Sequence, residues 1–215
     1  MKDLYIVGAG GFGREVAWLV ERVNQIEPRW NLVGFLDDAR ECQNTIINGY
    51  SVLGGCEYLE QLSKECWVIC TIGASKIRKK VVEKLKRYAN VKFATLVDPS
   101  VLLSDTVSVG EGSILCAGTI ATVNINIGAQ VIINLDCTIG HDAVLEDYVT
   151  VYPSVNISGN VIVKDSVELG TGTQIIQGKV IGEEAIVGAG AVVVKDIPSR
   201  CTAVGAPAKP IKFLE

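Results

Sequence analysis

Histidine is nearly missing from this chain: its 215 residues include one, His141. A three-histidine zinc site therefore has no source of ligands within one copy. Seven cysteines are present, but no two form a C-x-x-C pair, which removes zinc-ribbon and thioredoxin-type motifs. Their odd number and the lack of a signal peptide point to reduced thiols and a cytoplasmic setting. No basic run occurs and the net charge is −4, so a nucleic-acid partner is not expected. The apolar runs fall far short of the ~20 residues that a membrane span needs.

What is present is a six-residue beat. Stepping by six from Val97 gives Leu103, Val109, Leu115, Ala121, Ile127, Ile133, Ile139, Leu145, Val151, Ile157, Val163, Leu169, Ile175, Ile181, Val187 and Val193. Every one is Val, Ile or Leu except Ala121. Helices repeat at 3.6 residues and lone strands at 2, so neither keeps phase with six. The position four after each aliphatic is small or β-branched, as in Ser113, Thr119, Val131 and Cys137, and turn residues such as Gly110-Glu111-Gly112 fall between. Each hexad thus reads as a short strand and a corner, and three hexads close an 18-residue triangular turn. This is the signature of a parallel β-helix, with the beat residues filling its axis. No insertion interrupts the beat, so no long loop is expected to leave the coil.

The first 96 residues follow other rules. Leu4-Tyr5-Ile6-Val7 reads as a buried strand running into Gly8-Ala9-Gly10-Gly11-Phe12-Gly13, and Arg14–Val23 has helical periodicity. A second strand, Leu32–Leu36, ends in Asp37-Asp38. This is a small α/β unit, Rossmann-like in its first β-α-β. The glycines permit a tight turn and bring backbone N–H groups to a phosphate at a helix N-terminus. Gly8, Gly10, Gly11, Phe12, Gly13, Asp37 and Asp38 are the candidate ligand contacts, with Asp37 placed where a ribose-binding acid would be. Fewer than a hundred residues is too few for two mononucleotide-binding halves, so NAD is not expected. A single nucleotide or nucleotide sugar, or a glycine turn with no ligand, stays open. The basic stretch with Arg78, Lys79, Lys80, Lys84, Lys86 and Arg87 reads as a solvated helix face.

His141 falls two residues after the beat position Ile139, at a corner, and should point outward. Stepping by 18 places Gly159, Gln177 and Lys195 above it on successive rungs. A rung is ~4.8 Å, so Lys195 should stand ~14 Å from His141. A base, an amide donor and a cation along one edge would suit a pantetheine arm with phosphates beyond it.

Taken together, Gly8 to Glu15, Phe35-Leu36-Asp37-Asp38, Ile139-Gly140-His141-Asp142 and Val204-Gly205-Ala206-Pro207-Ala208-Lys209 resemble the sialic acid O-acetyltransferase-like (NeuD-type) sugar O-/N-acyltransferases, over essentially the whole chain. The resemblance implies an α/β Rossmann-like domain over residues 1–96 that binds the acceptor sugar or its nucleotide. It implies a left-handed parallel β-helix over residues 97–215, a homotrimer with active sites between adjacent subunits, and acetyl-CoA along the coil edge, with no metal. His141 then matches the catalytic base, Asp142 an acid that orients it, and Gly159 a glycine whose N–H receives the thioester oxygen. Two positions depart from the family pattern: Thr150 stands where relatives often have a second histidine, and Asp98 where they often have the first residue of His-Pro-Ser-Ala. The resemblance leaves the sugar, its nucleotide and the choice between amine and hydroxyl open. The competing readings are a hexapeptide acyltransferase acting on an amino acid, which would carry a helical N-terminal domain, and a non-catalytic nucleotide-sugar-binding scaffold.

Overall fold

The computed structural model describes residues 1–213. It divides into two compact units: Met1–Gly73 with Ile77–Pro99, and Ala74–Lys76 with the residues from Ser100 onward.

The first unit is a short α/β sandwich. Its main elements are β1 (Lys2–Val7), α1 (Gly11–Ile26), β2 (Trp30–Leu36), β3 (Ile46–Ile47), β4 (Tyr50–Gly54), β5 (Cys66–Cys70), α2 (Ser75–Leu85) and β6 (Val91–Phe93), with a 3-10 turn over Cys56–Gln61. The sheet order is β3-β4-β2-β1-β5-β6, parallel except for the β3–β4 hairpin. Leu4, Tyr5, Ile6 and Val7 are all buried, as expected of a central strand covered on both faces. Helix α1 buries Val16, Ala17, Leu19 and Val20, a spacing that keeps one stripe against the sheet. The chain leaves β1 for β2 on one side and returns to β5 on the other. The crevice at the carboxyl ends of these strands is where such sheets bind ligands.

The expectation of a solvated basic face on α2 fails at Arg78. This residue is fully buried, and its guanidinium donates to the carbonyls of Ile72 (2.7 Å) and Gly73 (2.9 Å). A loop leaving a central strand has carbonyls with no ladder partner. Arginine, with its several fixed donors, can satisfy two of them at once.

The second unit is a left-handed parallel β-helix. Two-residue strands stack with an offset of 18: Ile114↔Ile132↔Thr150↔Glu168↔Ile186 on one face, Leu102↔Ile120↔Thr138↔Asn156↔Gln174↔Val192 on the next, and Ser108↔Asn126↔Val144↔Ile162↔Val180 on the third. From Leu115 to Val193 every beat residue is buried, and each Val, Ile or Leu among them contributes roughly 1.5–3 kcal/mol by leaving water. The small-residue beat also points inward. The buried hydroxyls of Ser113 and Thr119 donate to the carbonyls of Gly128 (2.9 Å) and Asn134 (3.2 Å), so no buried donor is wasted there.

The corners have a conformational signature of their own. A positive φ recurs at every sixth residue from Gly112 to Gly190, on glycines and on Asn124, Gln130, Asp136, Asp142, Tyr148, Ser154, Asn160, Ser166 and Glu184. Left-handed backbone is what turns each strand through the corner. Asn, Asp and Gly enter that region at the least steric cost.

Two expectations are corrected. The first-turn beat residues are not core: Leu103 is 38% exposed and Val97 and Val109 are half-buried, because no coil turn lies beneath them to close the axis. The 18-residue turn also ends at Val193. Beyond it the pairs are Ile181↔Ile197 and Ile186↔Thr202, an offset of 16. The coil then closes with an antiparallel return, Cys201–Val204 against Lys209–Phe213.

Candidate active site

The strand Thr138–Ile139 carries the chain into a tight bend at Gly140, where a Cβ would lie 2.6 Å from the Gly159 nitrogen on the rung above. Only glycine lets the two rungs stack this closely. His141 follows with its side chain 51% exposed, so it points out of the prism as its place in the beat requires.

The imidazole is held from two sides. Its Nδ1 lies 2.8 Å from Asp142 Oδ2. Asp142 sits at the left-handed corner, φ 60°, which turns its side chain back toward its predecessor. The other carboxylate oxygen accepts from Asn124 Nδ2 at 3.3 Å. The hydrogen bonds from His141 and, next, from Asn124 hold the Asp142 carboxyl below the usual carboxylate range. With Nδ1 facing a carboxylate, the proton belongs on Nδ1 and the lone pair on Nε2. That free edge lies against Gly159, where a Cβ would come within 2.5 Å of both Cε1 and Nε2. The His141 carbonyl accepts from the Asn160 N–H at 2.9 Å, which locks the two rungs. The Gly159 N–H meets no acceptor among the described residues.

Above Gly159, the strand pairing places Gln177 and then Lys195 on the same edge, both exposed. Lys195 lies between the last pair at an offset of 18, Ile175↔Val193, and the first at 16, Ile181↔Ile197. Beside them run Ile176 and Val194, 44% and 37% exposed. This apolar strip went unnoticed in the sequence, because the beat marks only inward positions. Asn124 was also unnoticed. Its signal was present, since it occupies the left-handed corner one turn before Asp142. Thr150, in contrast, is 1% exposed, so its side chain cannot meet a ligand from solvent.

The glycine loop forms a second locus, in the first unit. Gly8 has φ +105°, and a Cβ on it would meet Thr71 Oγ1 at 2.8 Å. Gly13 packs so closely that a Cβ would fall 2.0 Å from the Gly8 carbonyl oxygen. Gly10 caps α1 without a side-chain bond; Gly10 and Gly11 are exposed and Phe12 is half-buried. Asp37 ties this loop to the end of β2, accepting from the Ala9 N–H (2.8 Å) and the Ala39 N–H (2.9 Å). Asp38 accepts from the Cys56 N–H at 3.0 Å. Gly8, Asp37 and Asp38 share a cavity of about 280 Å³ with Ile72, Ile77 and Val81, at the carboxyl ends of β1 and β2. A larger cavity of about 360 Å³, between Trp30, Trp67 and Phe93, lies at the opposite strand ends and holds no acid–base pair.

Three of the buried thiols are unsuited to a catalytic role. Burial pushes Cys56 up to about 12 and Cys70 and Cys137 up to about 11, far from the thiolate that a nucleophile needs. Among the described residues no group of His, Cys, Asp and Glu is arranged to hold a metal, and no helix is long and apolar enough to cross a membrane.

Residues 3–85 match the family described as the PglD N-terminal domain. The chain is 30% identical to GDP-perosamine N-acetyltransferase of Escherichia coli O157:H7 over 218 residues, which cover 98% of this chain and 97% of that one. Among solved structures it is similar to the acetyltransferase domain of PglB from Neisseria gonorrhoeae FA1090 in complex with acetyl coenzyme A. There the TM-score is 0.89 at 31% identity, with 98% of this chain and 99% of that one covered. It is also similar to a histidine-to-asparagine mutant of perosamine N-acetyltransferase from Caulobacter crescentus in complex with CoA and GDP-perosamine. In that case the TM-score is 0.87 at 27% identity, with 99% and 98% covered.

Proposed function

We infer the chemistry from one premise: the chain belongs to the hexapeptide-repeat sugar acyltransferase family. It is an acyltransferase, and we propose that it moves the acetyl group of acetyl-CoA to the amine of a nucleotide-linked amino sugar. Relatives of nearly full length support the donor and the acceptor class: one is named for GDP-perosamine N-acetylation, and others were captured with acetyl coenzyme A or with CoA and GDP-perosamine.

The observation that carries the proposal is the outward His141 ring, bonded to Asp142 through Nδ1 with its Nε2 edge against Gly159. The sugar amine attacks the thioester carbonyl as Nε2 takes its proton. Asp142 holds the tautomer and stabilises the imidazolium. The Gly159 N–H, which has no acceptor within the described chain, donates to the developing oxyanion. The carbon–sulfur bond then breaks, and the proton held by His141 passes to the CoA thiolate. The pantetheine arm follows the Gly159–Gln177–Lys195 edge, with Ile176 and Val194 against its apolar stretch and the Lys195 ammonium toward the phosphates. The first unit holds the acceptor through the Gly8–Asp37–Asp38 cavity. The assembly is a homotrimer in which each active site is shared by adjacent copies; the exposed Ile120, Val123 and Leu135 supply outward apolar surface for such contacts.

The test is thiol release from acetyl-CoA across a panel of nucleotide-linked 4-amino sugars and free sialic acid. Turnover confined to the amino sugars is expected. Turnover of sialic acid alone would move the acceptor atom to oxygen, and release with no panel member would sink the sugar assignment. In the same assay Asp37→Ala, which frees the Ala9 and Ala39 amides, is expected to raise the acceptor KM about tenfold (about 1.4 kcal/mol) and to leave the donor KM within about twofold. Equal effects on both would count against the first unit as the acceptor site.

A further inference from the structure

We propose that Asn124 is a positioning residue for catalysis, acting through Asp142 on the tautomer and aim of His141; this rests on the general-base reading of His141. The pairs Asn126↔Val144 and Ile127↔Leu145 set Asn124 one coil turn below Asp142. Both residues occupy left-handed corners, φ 55° and 60°, so their side chains leave the coil in the same direction, one above the other.

The geometry divides the Asp142 carboxylate between two partners. Oδ2 faces His141 Nδ1 at 2.8 Å, and Oδ1 accepts from Asn124 Nδ2 at 3.3 Å. The terminal torsion of an aspartate is broad and roughly two-fold. The Asp142 side chain is also 47% exposed, so packing alone does not set that torsion. The Asn124 amide does so by occupying the oxygen that the imidazole leaves open. Asn124 is itself pinned from the rung below. Its N–H donates to Thr106 Oγ1 at 2.9 Å, and that hydroxyl lies 3.1 Å from Ser104 Oγ. A line of hydrogen bonds therefore climbs three rungs, Thr106 to Asn124 to Asp142, and ends on the imidazole.

The residue type suits both demands. Asparagine tolerates the left-handed corner and presents an NH₂ donor upward. An aspartate there would set two carboxylates face to face, and an alanine would strain the corner and donate nothing.

The test exploits the chain's single histidine, because imidazole nitrogen resonances then belong to one ring. In the wild type the neutral ring is expected to carry its proton on Nδ1. Asn124→Gly keeps the corner conformation and deletes the amide. It is expected to shift the tautomer population toward Nε2–H and to lower kcat about tenfold, the scale of one lost hydrogen bond, with both KM values unchanged. In an Asp142→Gly background the same substitution is expected to cost nothing further, since the two residues act in one line. An unchanged tautomer population, or an equal loss of kcat in both backgrounds, overturns the assignment. If His141→Ala abolishes turnover while Asn124→Gly leaves tautomer and kcat unchanged, Asn124 alone is dismissed. Full turnover in His141→Ala removes the base, and Asn124's catalytic role with it.

Discussion

His141→Ala is expected to lose about 10²–10⁴-fold in acetyl transfer, the usual contribution of a positioned base, while the coil stays folded. The two halves of that expectation have separate causes. The ring is 51% exposed and its side-chain hydrogen bond is to Asp142, itself 47% exposed. Removing it therefore opens no cavity and strands no buried polar group, and stability should change by no more than about 0.5 kcal/mol. The chemistry has no ready substitute, because no other histidine exists in the chain and burial holds the thiols of Cys56, Cys70 and Cys137 protonated. Steady-state thiol release gives the first half and a thermal midpoint the second. Wild-type turnover in the alanine variant would take His141 out of the reaction. A collapsed midpoint would show that the corner holds the fold.

Gly159→Ala is expected to lose about 10²-fold or more, again with the fold retained. The φ of Gly159 lies outside the left-handed region, so the backbone accepts a methyl group. The obstacle is the ring: the new Cβ would stand 2.5 Å from Cε1 and Nε2 and 3.0 Å from Cδ2 of His141. A half-exposed side chain can swing away, and in doing so it leaves Asp142. Misplacing a catalytic group by about 1 Å costs on the order of 10²-fold, and the methyl also crowds the N–H assigned to the oxyanion. Gly140→Ala is the contrasting variant. Its Cβ would meet the Gly159 backbone nitrogen at 2.6 Å, and backbone in a stacked rung cannot move aside. That substitution should cost about 1–3 kcal/mol of stability. Comparing the denaturation midpoints of the two variants separates the cases. A Gly159→Ala protein as active as wild type would show that neither its N–H nor the ring position matters.

The coil could be derived from the chain because its information is local and repeated. A period of six with aliphatics on the beat leaves one way to bury them, and closure at three hexads sets an offset of 18. That offset alone stacks Gly159 and Gln177 over His141, and the observed pairing of Thr138 with Asn156 and of Asn156 with Gln174 agrees. The glycine loop was equally open to reading, since Gly8 and Gly13 must lack a Cβ for β1 and α1 to pack.

Other features depended on neighbours that no local pattern encodes. Leu103 keeps the beat yet stays exposed, because burial needs a turn beneath as well as an aliphatic side chain. Arg78 looks like part of a solvated face until the carbonyls of Ile72 and Gly73, at the end of the loop after β5, claim it. Asp37 reads in the sequence as a ribose-binding acid, whereas the contacts its carboxylate makes in the structure are with two loop amides. Which Asp142 oxygen meets the imidazole, and that Asn124 takes the other, follows from side-chain torsions at two corners 18 residues apart. The sequence by itself determined the period, the inward positions and the rung on which each candidate residue stands, because hydrophobic burial along a covalent chain sets them. Only the tertiary structure decided the hydrogen-bond partners and the exposure of those residues, because these depend on rotamers and on groups brought together from distant turns.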